Sequence, residues 1–199
     1  MKNILITGCS TGFGFKAAKH LAGKGHHVYA TMRNIKGKNA ESAAELKQFA
    51  NDKHVKLDVL EMDVTSDESV DAAVAQIPVV DVLINNAGVG FGGAIEAFTA
   101  DQVLAQLDLN IVGTVRTAKA VLPGMRARKS GLIIQVSSTA GRAAFPGFGV
   151  YHASKWEAFR DQPSCHLKNK IVLGEKEDVE VEAVVLKTHH GNQQVYDNN

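Results

Sequence analysis

The chain has 199 residues, of which 45% are hydrophobic, and its 22 basic and 21 acidic residues give a formal net charge of +1. This length suits one α/β domain with a sizeable core, and the mixed charge gives no support for a nucleic-acid or membrane partner. No apolar run is long enough to cross a bilayer, and Gly8 interrupts the first run too early for a signal peptide. The two cysteines, Cys9 and Cys165, are too few for a disulfide framework, so we expect a reducing, cytoplasmic location.

Short apolar runs alternate with helical patterns along the first four-fifths of the chain. The runs typical of buried strands are 4–7, 27–32, 56–62, 79–85 and 132–137. The patterns typical of helices are 14–23, 41–51, 67–76, 101–128, with Pro123 as a kink or break, and a further helix from Tyr151. This alternation predicts βαβ units with right-handed crossovers, and therefore an α/β fold with a parallel sheet covered by helices on both faces.

A glycine-rich segment, Thr7-Gly8-Cys9-Ser10-Thr11-Gly12-Phe13-Gly14, joins the first strand to the first helix. Glycines at this junction permit a tight turn and a close approach of the backbone to a pyrophosphate. The start of the helix then presents free N–H groups to the phosphates. An ordinary glycine turn is the alternative. The candidate cofactor-binding residues here are Gly8, Ser10, Thr11, Gly12, Phe13 and Gly14.

Arg33 follows the second strand, at a point where an acidic residue would bind the ribose 2′-hydroxyl of NAD. Because Met32 stands there instead, the sequence predicts that Arg33 pairs with the 2′-phosphate of NADP, and that NAD is less favoured. A solvated surface arginine is the alternative.

Further candidate cofactor residues follow the third and fourth strands, where open α/β sheets bind ligands. They are Asp63 and Val64 after the third strand, and Asn86, Ala87 and Gly88 after the fourth. The alternatives are a helix N-terminal cap or a turn residue at Asp63 and a simple turn at 85–88.

Ser138, Tyr151 and Lys155 form a candidate catalytic set. Tyr151 and Lys155 are four residues apart and therefore share one face of a helix. A lysine ammonium beside a tyrosine hydroxyl stabilises the phenolate, and such a tyrosine can exchange a proton with a carbonyl or alcohol oxygen. Ser138, at the end of the fifth strand, can hydrogen-bond the same oxygen. A Tyr-Lys pair at this spacing is by itself usually a surface coincidence.

Taken in order, these motifs resemble the series of the short-chain dehydrogenase/reductase family, over about residues 1–159. The resemblance implies a Rossmann-type doubly wound sheet and hydride transfer between NAD(P) and an alcohol or carbonyl. By position, the resemblance makes Tyr151 the proton donor and acceptor. It makes Lys155 the residue that stabilises the tyrosine phenolate and binds the nicotinamide ribose. It also makes Ser138 the group that orients the substrate oxygen, and Asn110 the residue that holds a water of the proton relay. The segments 7–10 and 28–33 look most like the NADP-preferring branch that handles steroids and retinoids.

The resemblance stops after about Phe159. Pro163 predicts the end of the helix that begins at Tyr151, residues 179–186 predict a last strand, and residues 189–199 predict a disordered polar tail. Residues 179–186 stand where the family's sixth strand is expected, but Leu186-Lys187 replaces its Pro-Gly. The family's seventh strand and its substrate lid have no candidate. We therefore expect a dinucleotide-binding and catalytic domain over 1–160, followed by a truncated or divergent segment over 161–199.

Three hypotheses remain open from the sequence. The first is an NADP-dependent oxidoreductase acting on an apolar secondary alcohol or ketone, and the second is a non-catalytic nucleotide-binding remnant without a closed substrate pocket. The third is a partner-binding or aggregating remnant with no ligand. His189 and His190 are adjacent and point in different directions in regular structure, so no metal site is predicted. The family commonly forms homodimers through the long helix and the Tyr-Lys helix. Because the second of these is expected to be short, we predict a monomeric or aggregating chain.

Overall fold

The computed structural model describes residues 1–160, 169–172 and 178–184, with side chains described as far as Trp156. Within these ranges the chain forms one mainly parallel β-sheet with helices on both faces. The predicted Rossmann-type, doubly wound α/β fold is therefore confirmed. No helix of the described residues is long and apolar enough to span a bilayer.

Seven strands of the described residues pair in the order β3-β2-β1-β4-β5-β7-β6. All pairs are parallel except β6 with β7. The strands are β1 (Asn3–Ile6), β2 (His27–Met32), β3 (Leu57–Glu61), β4 (Val82–Asn85), β5 (Leu132–Val136), β6 (Asn169–Val172) and β7 (Asp178–Val184). The strand order reverses between β1 and β4, which is the position at which open α/β sheets bind ligands.

Six α-helices of the described residues connect or flank these strands. They are α1 (Gly12–Gly23), α2 (Ala40–Lys53), α3 (Asp67–Val74), α4 (Ala100–Leu107), α5 (Gly113–Ala127) and α6 (Gly149–Arg160). Helices α1 and α2 cover one face of the sheet, where Ile6, Val28 and Leu46 are fully buried. Helices α3 and α5 cover the other face, where Leu83 and Met125 are fully buried. The two apolar layers hold the carboxyl ends of the strands in fixed positions relative to one another.

The predicted long helix 101–128 is interrupted at a different place from the one expected. A π-helical turn over Asp108–Val112 separates α4 from α5, whereas α5 continues through Pro123 as far as Ala127. Proline removes one intrahelical hydrogen bond, but Val121 and Met125, on either side of it, are buried against the sheet and hold the helix in place. The long helix is therefore interrupted at the π-helical turn and is not broken at Pro123, so the predicted position of the break was wrong.

The C-terminal strands also differ from expectation. The predicted last strand at 179–186 corresponds to β7 (Asp178–Val184), which pairs with β5 in parallel. Residues 168–178 were not predicted to contain a strand, yet β6 pairs with β7 and forms the edge of the sheet. Antiparallel pairing lets a short connection supply this edge, where a parallel strand would need a long crossover. Helix α6 is described as far as Arg160, and Pro163, at which its end was predicted, lies outside the described residues. The predicted tail at 189–199 lies outside the described residues.

Candidate active site

A cleft of about 410 Å³ lies along the carboxyl ends of β1 to β5. A pocket of this size is within the ~300–1,000 Å³ range of small-molecule and cofactor sites. All of its lining residues lie between Gly8 and Lys155. The cleft therefore belongs to the part of the chain whose motifs pointed to a cofactor.

The turn from β1 to α1 depends on two glycines with positive φ. Gly8 has φ +71° and Gly12 has φ +61°, a region that residues with a side chain adopt at a cost. A Cβ at Gly8 would lie 2.7 Å from Ala87 Cα, so glycine is also required for the contact between the first turn and the loop after β4. A Cβ at Gly12, which lines the cleft, would meet no protein atom within 4 Å and would stand in open space.

The first turn of α1 leaves backbone donors for a ligand. Its N-cap residue Thr11 makes no side-chain capping hydrogen bond within the described structure, and the first turn carries no acidic residue. The N–H groups at a helix N-terminus otherwise have no partner, and together with the helix dipole they favour an anion. The open space beside Gly12 and these donors fit the pyrophosphate of a dinucleotide.

Thr7 and Asn86 join the glycine turn to the end of β4. The Thr7 hydroxyl oxygen accepts hydrogen bonds from the Asn86 N–H at 3.0 Å and from the Ala87 N–H at 2.9 Å. The Asn86 amide in turn donates to the Thr7 carbonyl at 2.9 Å and to the Gly8 carbonyl at 3.0 Å. These four bonds fix two walls of the cleft relative to each other.

Arg33 lies at the rim of the cleft, and its guanidinium is 3.7 Å from the Asp63 carboxylate. Its side chain is 56% exposed, so it can reach an anion at the rim. Asp63 also accepts hydrogen bonds from the N–H of Thr65 at 3.0 Å and from its hydroxyl at 2.8 Å. Asp63 thus lines the cleft and also stabilises a turn, which were the two uses left open by its sequence position.

Lys155 is almost fully buried at the inner end of the cleft, one helical turn after Tyr151 in α6. Its Nζ lies 5.9 Å from the centre of the Tyr151 ring and donates to the Val136 carbonyl at 3.3 Å. Burial lowers the pKa of the Lys155 ammonium to about 8, because the charged form loses hydration. The ammonium and the neutral amine of Lys155 are therefore about equally populated at a pH near 8, inside the same cleft as the tyrosine.

Ser138 follows β5 and caps a short 3₁₀ turn, Thr139–Gly141. Its hydroxyl oxygen accepts from the Ala140 N–H at 3.2 Å. Because that bond uses an oxygen lone pair, the hydroxyl hydrogen remains available to donate to an oxygen in the cleft. Ser138, Tyr151 and Lys155 all line the cleft, so the structure brings the predicted catalytic set together.

Asn110 does not line the cleft. It lies in the π-helical turn, is 3% exposed, and binds both backbone groups of Val89, each at 2.8 Å. Its amide also donates to the Ser154 hydroxyl at 2.9 Å. Gly88 separates it from the lysine, since a Cβ there would lie 3.3 Å from Asn110 Oδ1 and 3.1 Å from Lys155 Nζ. Gly14 also lies behind the cleft, against the Gly8 carbonyl.

The remaining predicted cofactor residues all line the cleft: Gly8, Ser10, Thr11, Gly12, Phe13, Arg33, Asp63, Val64, Asn86, Ala87 and Gly88. Thr7 begins the glycine-rich segment and Ser154 lies between Tyr151 and Lys155, but neither was predicted to be functional. His152, whose ring connects α6 to the loop before it, was not predicted either. The contacts of Thr7 with Asn86, of Ser154 with Asn110 and of His152 with Ala140 join residues that are distant in sequence, so no local signal indicates them.

The family profile described as "short chain dehydrogenase" matches residues 2–160. The 3-ketodihydrosphingosine reductase of Bacteroides thetaiotaomicron is 43% identical over 157 residues, covering 77% of this chain and 53% of that protein. Human 17-beta-hydroxysteroid dehydrogenase type 1 is 41% identical, with 77% and 48% covered. Human retinol dehydrogenase 8 is 40% identical, with 78% and 50% covered.

Among solved structures, the gluconate 5-dehydrogenase of Burkholderia cenocepacia in complex with NADP and tartrate superposes with a TM-score of 0.71. It is 32% identical, with 80% of this chain and 62% of that chain covered. The chain thus belongs to the short-chain dehydrogenase family of oxidoreductases, as its motifs indicated. It spans about half the length of the curated relatives that it matches.

Proposed function

We propose that this chain binds NADP(H) and transfers a hydride between the nicotinamide and an apolar secondary alcohol or ketone. The observation that carries the proposal is a single cleft lined by the glycine turn, by Arg33, and by Ser138, Tyr151 and Lys155 together. One group of residues suits a dinucleotide and the other suits proton exchange with an oxygen, and the hydride chemistry needs both. The cytoplasmic location expected from the cysteines remains part of this proposal.

The cofactor half of the proposal rests on three features of the cleft. The donors at the start of α1 face the space beside Gly12, where a pyrophosphate fits. Arg33 stands at the rim with no acidic residue at position 32, which favours the extra phosphate of NADP over the free ribose of NAD. Asp63 and Val64 line the same rim after β3.

The catalytic half concerns protons at the substrate oxygen, since bound NADP(H) supplies or accepts the hydride. The Ser138 hydroxyl donates a hydrogen bond to the substrate oxygen and fixes its position. The Tyr151 hydroxyl gives that oxygen a proton during reduction and takes one during oxidation. The Lys155 ammonium, held at the Val136 carbonyl, stabilises the phenolate that remains after the proton has left. The role of Asn110 in holding a water that resupplies the proton stays a prediction, because its side chain binds Val89 and Ser154 and does not line the cleft.

The substrate class is inferred from the relatives and from the surroundings of the tyrosine. The three curated relatives are named for a ketosphingoid reductase, a hydroxysteroid dehydrogenase and a retinol dehydrogenase. Phe148 stands edge-on to the Tyr151 ring, with 6.4 Å between their centres. An aromatic wall beside the acid favours a carbonyl or alcohol carried on an apolar group.

A fluorescence titration with NADPH, followed by a screen of apolar carbonyl substrates, tests the proposal. In that assay Tyr151→Phe removes only the hydroxyl, so we expect NADPH binding to persist while turnover falls about 100-fold or more. Tyr29→Phe is the matched control, because Tyr29 lies outside the cleft and its hydroxyl contacts His27. Turnover of Tyr151→Phe within a few-fold of the unaltered chain would exclude Tyr151 as the acid.

A second candidate keeps cofactor binding without turnover. It is favoured by one observation: the family profile matches residues 2–160 and does not include residues 161–199. NADPH binding without turnover of any carbonyl substrate would select this candidate, and absence of NADPH binding would exclude both.

A further inference from the structure

His152, next to the proposed catalytic tyrosine, makes contacts that the proposed reaction does not by itself require. Its Nδ1 lies 2.7 Å from the Ala140 carbonyl oxygen, and the Phe145 N–H donates to its Nε2 at 2.7 Å. A carbonyl oxygen only accepts hydrogen bonds, so Nδ1 carries the hydrogen of the neutral ring. Nε2 then accepts from the Phe145 N–H, and the Phe145 carbonyl oxygen, 3.1 Å from Nε2, receives no hydrogen bond from it in this tautomer.

The backbone of Ala140 lies between His152 and Ser138. Its carbonyl accepts from the histidine, while its N–H donates to the Ser138 hydroxyl oxygen at 3.2 Å. These two groups belong to the peptide units on either side of the Ala140 Cα, so the histidine restrains the residue whose N–H binds the serine. The bond from this N–H occupies a lone pair of the Ser138 oxygen and leaves the hydroxyl hydrogen free to donate.

The second partner of His152 belongs to a loop with little burial. Residues 142–147 are all exposed, and Phe145 is 49% exposed. A loop of this kind is held by hydrogen bonds more than by apolar packing. The bond from the Phe145 N–H to the imidazole ties the loop to α6, and the bond from the Gly93 N–H to the Gly147 carbonyl, at 2.7 Å, ties it to the segment after β4.

We propose that His152 is a positioning residue that orients Ser138 through the backbone of Ala140 and holds the Phe145 loop against the segment after β4, which contributes Gly90 to the cleft. The inference rests on the proposed function. It assigns the two ring nitrogens different tasks: Nδ1 acts on the serine and therefore on the rate, and Nε2 acts on the loop and therefore on substrate binding.

Three variants separate the two tasks. His152→Asn places an amide N–H near the position of Nδ1 and loses the acceptor for Phe145. His152→Gln places an amide oxygen near the position of Nε2 and loses the donor to Ala140. His152→Phe keeps a ring of similar size and loses both. Each is measured for kcat and KM with the best apolar carbonyl substrate, and for NADPH affinity by fluorescence.

We expect His152→Asn to raise KM about tenfold at nearly unchanged kcat, and His152→Gln to lower kcat about tenfold at nearly unchanged KM, since one hydrogen bond is worth about that factor. His152→Phe should show both effects, and NADPH affinity should stay within about twofold in all three because the glycine turn is untouched. A merely structural role would instead lower kcat, NADPH affinity and melting temperature together, with no rescue by Asn or Gln.

Amide hydrogen exchange gives a readout that does not depend on turnover. The Phe145 amide should exchange about tenfold faster in His152→Asn and His152→Phe than in His152→Gln and the unaltered chain. Equal exchange in all four proteins, or unchanged kcat and KM in His152→Phe, would overturn the inference and leave the proposed function standing. If the unaltered chain binds NADPH but turns over no substrate, the proposed function fails and the positioning role falls with it.

Discussion

Lys155 is a lysine side chain held in an interior position, 7% exposed, beside the proposed proton donor. Burial costs the charged form hydration and lowers its pKa to about 8. The same shift links the stability of the fold to pH, because the unfolded chain holds this proton more tightly than the folded chain does. Stability should therefore rise with pH between the folded pKa and the ordinary lysine value of 10.5.

Lys155→Met removes the buried charge and therefore tests this dependence of stability on pH. Below about pH 8 the variant avoids the cost of burying an ammonium, and above about pH 10.5 the cost is absent from both proteins. The free energy of unfolding of the variant minus that of the unaltered chain should fall by ~3 kcal/mol over that interval. Urea titrations at both pH values measure it, and Lys24→Met, at an exposed position, is the control. A difference independent of pH would show that Lys155 is not desolvated.

Arg33 decides cofactor preference in our proposal. Replacing Met32 with Asp and Arg33 with Ala together should reverse the ratio of NADPH to NADH affinities, because the carboxylate accepts from the ribose hydroxyls and repels the 2′-phosphate. Met32 is 2% exposed although it lines the cleft, so the double variant should also lose stability. The ratio of the two dissociation constants cancels a uniform loss. A double variant that still prefers NADPH would exclude Arg33 as the residue that binds the 2′-phosphate.

At the scale of elements, α5 is attached to the sheet by a buried hydrogen bond and to its neighbours by two ion pairs nearer the surface. The Thr117 hydroxyl, with no exposed surface, donates to the Asn85 side-chain oxygen of β4 at 2.6 Å. The Arg116 guanidinium lies 3.1 Å from Asp67 of α3 and 2.8 Å from Asp108 of the π-helical turn. These contacts fix α5 and the turn that carries Asn110 relative to the end of β4.

Thr117→Val tests the contact between α5 and β4. Valine has nearly the same shape but no hydroxyl, so the buried Asn85 oxygen loses its donor, and the free energy of unfolding should fall by ~1–3 kcal/mol. Thr114→Val is the control, because the Thr114 hydroxyl donates only within its own helix segment, to the Ile111 carbonyl at 2.7 Å. Equal losses for both variants in denaturant titrations would mean that the contact with β4 is worth no more than a helix-internal bond.

At the scale of the whole molecule, the outer helices present apolar side chains to solvent. Leu104 of α4 is 62% exposed, Val115 of α5 is 48% exposed and Trp156 of α6 is 56% exposed. Exposed apolar side chains on the surface of these helices favour self-association. The sequence predicted a monomeric or aggregating chain, partly because one edge of the sheet lacked a strand. The pairing of β6 with β7 supplies an edge strand. The exposed apolar residues Leu104, Val115 and Trp156, here called the helix face, therefore remain as the reason for association.

Replacing Leu104 and Val115 together with Lys should reduce light scattering and move the chain toward a monomer, because the charges are costly to bury in an association surface. Ile95→Lys is the matched control, since Ile95 is 68% exposed but lies in the loop after β4. A monodisperse, stable dimer of the unaltered chain would contradict the prediction of a monomeric or aggregating chain. Unchanged scattering in the double variant would exclude the helix face as the cause.

The sequence by itself determined the order of the first five strands and their helices, the cofactor turn and the Tyr-Lys pair. These features are local because they depend on neighbouring residues. They are the periodicity of strands and helices, the glycines Gly8 and Gly12 with positive φ, and the four-residue spacing along a helix. For the same reason the residues that line the cleft could be predicted, because parallel strands bring their carboxyl ends to one edge of the sheet.

Only the tertiary structure decided how these parts are held. Asn110 is separated from Val89 by 21 residues and His152 from Ala140 by 12, so nothing local predicts that they bind each other. The break in the long helix follows from that packing and falls at the π-helical turn, where Asn110 meets Val89, whereas local propensity pointed to Pro123. The strand β6 depends on a partner strand as well, because its hydrogen bonds are made with β7. Hydrogen bonds between distant groups form only after the apolar layers have packed and set the distances between them.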